Sequence, residues 1–340
     1  LKKTRDSYFD NAKFLLILLV VFGHFIRSFI NDNELIMTIY KYIYTFHMPA
    51  FILLAGFFAK GFNKKGYVAK ITKKLILPYL IFQGIYSVYY YLIQSKDTLY
   101  RDPLNPHWSL WFLLSLFSWN ILLFVFTKFP KKVSVTIAFG IGIAVGYAEF
   151  ISSYLSLSRT FVFFPLFLLG YYLRGEHFKR LSAPSAKKLA GGILAAAFIA
   201  YLFIDFHFEW LFGSKPYAAF GEADVWSGLT RLGFYVLTIL LTFAFMAFVP
   251  RREFFFTKWG TRTFYVYLLH GFVIGYFRQS QLAGWLKEYQ SLTLIVFMAV
   301  ALTFILSSTM VKTMTQPIIE LKTTTFRNML KAVGKKEIYR

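Results

Sequence analysis

The sequence predicts an all-α membrane protein, a polytopic bundle of about ten transmembrane helices with both chain ends on the cytoplasmic side. Three observations carry this. Apolar residues make up 57% of the 340 and aromatic residues 21%, with a mean hydropathy of +0.52. A soluble domain of this size needs less for its core. Ten apolar segments can be drawn, each near the length a helix needs to cross about 30 Å of hydrocarbon. With the N-terminus inside, 29 of the 38 Lys and Arg fall on the cytoplasmic side, while the 16 acidic residues divide 6 inside and 10 outside. That asymmetry follows the positive-inside rule and supports both the count and the orientation.

The first segment, 14–30, reads FLLILLVVFGHFIRSFI. It is long enough to span, and no small-residue cleavage site follows it, so it reads as a helix and not as a cleaved signal. The next segments are 42–59, 75–94, 109–127 and 133–150. In the last of these Gly140, Gly142 and Gly146 read as close helix packing. Then come 160–173, 189–204, 230–249, 263–277 and 291–311, of which the sixth and ninth segments are short and are expected to be irregular. Residues 1–311 read as one transmembrane domain. Residues 312–340 read as a basic, mildly amphipathic tail on the inner leaflet. The longest outside loop, 205–229, is acidic and aromatic, with Asp205, His207, Glu209, Trp210, Tyr217, Glu222, Asp224 and Trp226. Aromatic faces beside carboxylates suit a carbohydrate, and aromatic side chains also collect at membrane interfaces.

The net charge of +22 needs no nucleic acid as partner. Topology and attraction to the anionic head groups of the bilayer account for it. One cluster is denser than topology requires: Lys64, Lys65, Lys70, Lys73 and Lys74 crowd the second cytoplasmic connection. It suits the phosphates of a cytosolic nucleotide-like donor such as coenzyme A. The chain has no cysteine, which removes disulfides, thiolate nucleophiles and cysteine metal sites. Metal-spaced His/Glu pairs, Ser-His-Asp patterns and Gly-rich phosphate loops are not apparent either, so no metal is expected.

The most informative pair is Lys13 and His24. Eleven helical residues turn about 1,100° and rise roughly 16 Å, so both side chains share one face. Ionisable groups on a membrane helix are costly and tend to face a protein interior or a functional path. Imidazole has the side-chain pKa nearest neutrality. His24 is therefore suited to act as a general base toward an alcohol, or as a transient acyl carrier. Arg27, three residues on, is placed to steady an oxyanion or orient a sugar. Asp10 lies about 21 Å from His24 along the axis and is expected to pair with Lys13 or a neighbouring lysine. His47, His270, His107, Trp108 and Trp111 are the remaining candidates for substrate contact. For each histidine the plain alternative is a helix-to-helix hydrogen bond.

Six short strings occur in order: Asp10-Asn11-Ala12-Lys13 followed by His24; Phe46-His47-Met48-Pro49-Ala50-Phe51 leading to Ala55-Gly56-Phe57-Phe58; Lys70 to Lys74 closing on Pro78-Tyr79; Leu110-Trp111-Phe112-Leu113; Phe164-Pro165-Leu166-Phe167-Leu168-Leu169-Gly170; and Tyr265-Val266-Tyr267-Leu268-Leu269-His270. In this order they resemble the acyltransferase-3 family of integral membrane O-acyltransferases, most closely its fucose 4-O-acetylase-like group. The resemblance covers nearly the whole chain. It implies a ten-helix bundle in the plasma membrane, the inner or cell membrane of a bacterium. It also implies acetyl-CoA or another acyl-CoA as donor substrate, with no permanently bound cofactor, and a hydroxyl of a glycan or lipid-linked sugar as acceptor. The family's Arg/Lys-x10-His motif maps onto Lys13 and His24. Its Arg-x-x-Arg motif maps onto Lys70-x-x-Lys73, with Lys74 as the alternative partner; lysine there offers a point charge and not a bidentate fork. The family's Ser-Gly-Phe is Ala55-Gly56-Phe57 here. A transporter or flippase of a glycan precursor is the competing function, and would favour helices broken at matching positions in two halves.

Overall fold

The computed structural model describes residues 6–93, 102–151, 154–221, 223–289 and 291–321. Among these the regular elements are all helical. Helix α1 (Ser7–Ile26) is capped by Asp6, whose carboxylate accepts from the Tyr8 N–H at 3.0 Å. Helix α2 (Glu34–Phe58) is capped the same way by Asn33. Helix α3 (Tyr67–Ile71) passes through a π-helical stretch, Thr72–Ile76, into α4 (Leu77–Ile93). Then follow α5 (Trp111–Phe126), α6 (Lys131–Ala144), α7 (Leu157–Tyr172) and the short α8 (Gly175–Leu181). Helices α9 (Pro184–Phe203) and α10 (Val225–Phe248) flank the outer loop. The last four are α11 (Thr263–Phe277), α12 (Gln281–Tyr289), α13 (Leu292–Leu306) and α14 (Thr309–Ile319).

Every one of the ten apolar segments contains a helix, but not every helix spans alone. Among the described residues, five stretches are long and apolar enough to cross a membrane: Ser7–Ile26, Tyr67–Ile93, Tyr154–Tyr172, Pro184–Phe203 and Val225–Phe248. Helices α13 and α14 together make a sixth, bent by 63°. Helices α5 and α11 are apolar but shorter. The sixth segment is longer than its hydropathy indicates, because a turn at Tyr154–Ser156 extends α7. Helix α14 runs across the domain boundary expected at 311. Residues 322–340, the rest of the tail, and Glu222 lie outside the described residues.

Helix α1 sits at the centre and packs on α2, α11, α13 and the turn at Thr257–Thr261. It begins at Ser7, not at residue 14. Its first turns carry polar side chains, which are buried because specific partners meet them. The Asn11 amide donates to the carbonyls of Pro250 and Arg252, 2.9 Å each, and accepts from Thr257 Oγ1 at 2.6 Å. The Tyr8 hydroxyl donates to the Met246 carbonyl at 2.7 Å. Asp10 pairs with Lys13 at 2.6 Å, as the sequence leads one to expect. Helix α1 also ends at Ile26, before the segment's expected end at residue 30, and this places His24 in the last turn.

Helices α2 and α7 cross almost backbone to backbone. A Cβ on Gly56 would lie 1.9 Å from the Phe167 carbonyl oxygen, and one on Gly170 would lie 1.9 Å from that of Leu53. The small residues in the second and fifth strings thus serve packing. Gly142 and Gly146 press against Tyr235 and Tyr217, each at 2.2 Å from an added Cβ, while Gly140 faces open space.

Candidate active site

One periodicity on α1 organises the interior. Lys13, Ile17, Val20, His24 and Arg27 recur at intervals of three and four residues, so they form one continuous face. This face lines two adjoining cavities. The first, about 360 Å³, holds Lys13 and Lys74 among mainly apolar walls from α1, α2, α5 and α11, with Tyr67 and Asn120. The second, about 520 Å³, holds His24 and Arg27. Val20, Met48 and Tyr267 belong to both and form the partition between them. Both volumes fall in the range of ligand sites.

The second cavity gathers three histidines. His24 comes from α1, His47 from α2 and His270 from α11. On α2, Tyr40, Tyr44 and His47 share one face, as do Tyr267 and His270 on α11. The His24 ring lies 5.3 Å from the His270 ring and 4.3 Å, edge to face, from Trp108. The Tyr44 hydroxyl is 3.3 Å from His24 Nδ1 and orients the imidazole. His47 Nδ1 lies 2.8 Å from the Ile43 carbonyl, and His270 Nδ1 lies 2.9 Å from that of Val266. A carbonyl only accepts, so Nδ1 carries the proton in both rings and Nε2 keeps its lone pair. The Nε2 of His270 is buried without a hydrogen-bond partner among the described residues. Two imidazoles beside His24 are thereby set as acceptors.

The walls are held by tyrosine hydroxyls. Tyr267 donates to the Ser109 carbonyl at 2.5 Å, Tyr86 to that of Leu268 at 2.9 Å and Tyr89 to that of Phe272 at 2.6 Å. These bonds tie α11 to α4 and to the segment before α5. Trp108 and Trp111 thereby face the cavity.

The expected site residues separate into groups. His24, Arg27, His47, Trp108, Trp111 and His270 meet in the larger cavity. Lys13 and Lys74 meet in the smaller one. Lys70 and Lys73 line neither cavity and are exposed. The π-helical stretch lies across Lys73 and Lys74; Lys74 is exposed like the other two but borders the smaller cavity. His107 does not line the cavity; its Nε2 lies 2.8 Å from Ser87 Oγ. The loop residues expected to contact an acceptor are engaged elsewhere. Asp205 accepts from Lys41 at 2.5 Å, and this hydrogen bond lowers its carboxyl below the usual range. Glu209 pairs with Lys215 at 2.5 Å, and Trp210 stacks on Phe220 at 4.6 Å. The same loop instead gives Leu211 and Phe212 to the wall.

Arg159 and Arg278 also line the larger cavity and were not among the expected site residues. The signal was present, because a cation within or beside an apolar segment is costly unless it has work to do. Arg159 stands in LSRTFVFFP and Arg278 ends the ninth segment.

Comparison with known proteins places the chain in a family. The acyltransferase-3 family, described as an acyltransferase domain, matches residues 6–312. The chain belongs to the acyltransferase-3 family. Two nodulation proteins named NolL are similar to this chain over about half its length. The one from Mesorhizobium japonicum is 30% identical over 179 residues, 49% of this chain and 47% of its own. The one from Sinorhizobium fredii is 26% identical over 182 residues, 49% of this chain and 48% of its own. The chain thus spans about half the length of the curated relatives it matches. No solved structure matches it. Family membership gives the chain an acyltransferase domain, and its apolar helices are those of a membrane protein.

Proposed function

We propose that this acyltransferase moves an acyl group, acetyl in the simplest case, from cytosolic acyl-CoA to a hydroxyl of an envelope glycan or lipid-linked sugar. The observation that carries the reading is the continuous α1 face from Lys13 to Arg27, which lines two cavities with one shared partition. In the orientation that the basic residues favour, the Lys13 and Lys74 cavity opens to the cytoplasm and the His24 cavity lies toward the outside. The plasma membrane of a bacterium is the corresponding location.

The chemistry follows from the residues. The lysines hold the donor's phosphates, and the apolar walls of the smaller cavity take the pantetheine arm toward the partition. In direct transfer, the acceptor hydroxyl gives its proton to the His24 imidazole while its oxygen attacks the thioester carbonyl. The tetrahedral oxyanion meets a guanidinium. The C–S bond then breaks, and the thiolate of coenzyme A leaves and takes up a proton. In the carrier variant an imidazole nitrogen attacks the thioester carbonyl and the C–S bond breaks, releasing the coenzyme A thiolate; the acceptor oxygen then attacks the acyl carbon, the acyl–nitrogen bond breaks, and the hydroxyl proton passes to the freed imidazole. Label from radioactive acetyl-CoA retained on protein quenched without acceptor identifies the carrier route; its absence alongside normal transfer identifies direct attack.

Purified protein given acetyl-CoA and glycan acceptors tests the activity. Release of free coenzyme A with formation of an acetyl ester is the expected result. Protein that binds or moves glycans but never consumes acetyl-CoA would favour the transporter reading. The donor assignment has its own test. Lys74→Gln is expected to weaken coenzyme A binding about tenfold, roughly the 1.4 kcal/mol of one lost charge-assisted contact. Lys70→Gln and Lys73→Gln are expected to change it far less, because neither lysine lines the cavity. Calorimetry giving the same affinity for Lys74→Gln as for the wild type would remove Lys74 from the donor site.

A further inference from the structure

The larger cavity contains more positive charge than acyl transfer needs. Arg27, Arg159 and Arg278 all line it, and among the described residues no carboxylate does. None of the three has an ion pair among the described residues. The ion-paired acidic side chains of the outer loops have their partners elsewhere: Asp32 meets Lys287 at 3.5 Å, Asp205 meets Lys41 and Glu209 meets Lys215. One guanidinium suffices for the oxyanion of the transfer step. The other two have no role in that chemistry.

Each guanidinium also lies over an aromatic ring. Arg27 lies over the Phe208 ring at 4.8 Å, Arg159 over Trp111 at 5.0 Å and Arg278 over Trp108 at 5.0 Å. Stacking on a ring occupies a guanidinium face and leaves its N–H edge free. Arg278 uses one N–H on the His24 carbonyl, at 3.1 Å. The remaining N–H edges form planar forks that match the two oxygens of a carboxylate or a phosphate. Three like charges around one apolar-walled space repel one another, and an anion among them relieves that repulsion. A neutral sugar does not.

We propose that the His24 cavity takes an acidic acceptor, a saccharide that carries a carboxylate or a phosphate beside the hydroxyl to be acylated. This rests on the acyl-transfer reading for the hydroxyl, but anion binding can be measured without turnover. The two chambers then divide their cations by chemistry. Lysine point charges serve the phosphates of the donor, and stacked arginine forks orient the oxyanion of the acceptor.

The test is thermal unfolding of the purified protein with glucuronate, glucose 1-phosphate or glucose, at matched ionic strength. Ligand that binds the native state raises the unfolding temperature. At least one acidic sugar is expected to give half its maximal shift at a concentration at least tenfold below that of glucose. A response to glucuronate alone assigns a carboxylated acceptor, to glucose 1-phosphate alone a phosphorylated one, and to both the shared oxyanion chemistry. Arg159→Gln is expected to abolish the preference. Arg278→Gln is expected to weaken it about tenfold; Arg278 is the exposed member of the three, so this variant keeps the test open if Arg159→Gln does not fold. Arg278→Lys is expected to restore the preference in part. No preference for either acid over glucose, including no shift with any of the three, would overturn the proposal. So would a preference that survives in every folded glutamine variant. Failure here with normal acetyl transfer to neutral sugars leaves the enzyme reading intact. Failure of acetyl-CoA consumption with anion preference retained does the reverse.

Discussion

Replacing His24 by alanine lowers acyl transfer by about 10²–10⁴-fold, the range that a positioned proton-transfer group contributes. The protein is expected to stay folded. His24 is only partly buried, and its ring faces a cavity instead of filling a packed core. Among the described residues its one side-chain hydrogen-bond contact is the Tyr44 hydroxyl at 3.3 Å, which water can replace in an open chamber. The neighbouring imidazoles do not substitute for it. His47 and His270 each bond their own helix through Nδ1, on α2 and α11, whereas His24 alone continues the face that begins at Lys13. Turnover of acetyl-CoA, measured beside the unfolding temperature of the same sample, decides the matter. Full turnover in a normally folded His24→Ala protein removes His24 from the chemistry.

Replacing Gly170 by alanine unfolds the site from a distance. The added Cβ would sit 1.9 Å from the Leu53 carbonyl oxygen, and that neighbour is backbone that cannot rotate away. Gly56→Ala meets the Phe167 carbonyl at the same distance. Overpacking of this kind costs about 1–3 kcal/mol or more, because α2 and α7 must separate. Those helices carry His47 and Arg159 to the larger cavity, so activity is expected to fall with stability. Gly140→Ala is the control. It meets nothing within 4 Å in the interior of α6, and is expected to be neutral or to stabilise by about 0.5–1 kcal/mol. Unfolding temperatures in detergent compare the three. A Gly170→Ala protein as stable as wild type would show that the α2–α7 contact is looser than these distances.

The helices were legible because a membrane span has to be apolar, and the hydropathy pattern records that. Their ends were not. Asp10, Asn11 and Lys13 look like residues outside the bilayer, yet α1 starts before them. Partners some 240 residues away make the burial of Asn11 possible, and no local pattern shows such partners. The same limit explains the site. Helical periodicity placed Lys13, His24 and Arg27 on one face, and that face is the one lining the cavities. Which residues of other helices meet it depends on crossings such as that of Gly56 with Phe167, which no spacing within one segment encodes. Arg159 and Arg278 were counted as outside charges in the topology and not as site residues. His107 and Trp210 show the converse error. Aromatic and imidazole side chains at a membrane face looked like sugar contacts, but His107 bonds Ser87 and Trp210 stacks within its own loop.

Transfer across the membrane is tested most directly in sealed vesicles of known orientation, with acetyl-CoA added only on the cytoplasmic face and acceptor glycan enclosed on the other. Transmembrane transfer predicts acetylated glycan inside the lumen, formed by the wild type and absent with His24→Ala. Acetylation confined to glycan on the cytoplasmic face, with the luminal acceptor unchanged, would contradict it and leave an acyltransferase that uses both substrates from one side.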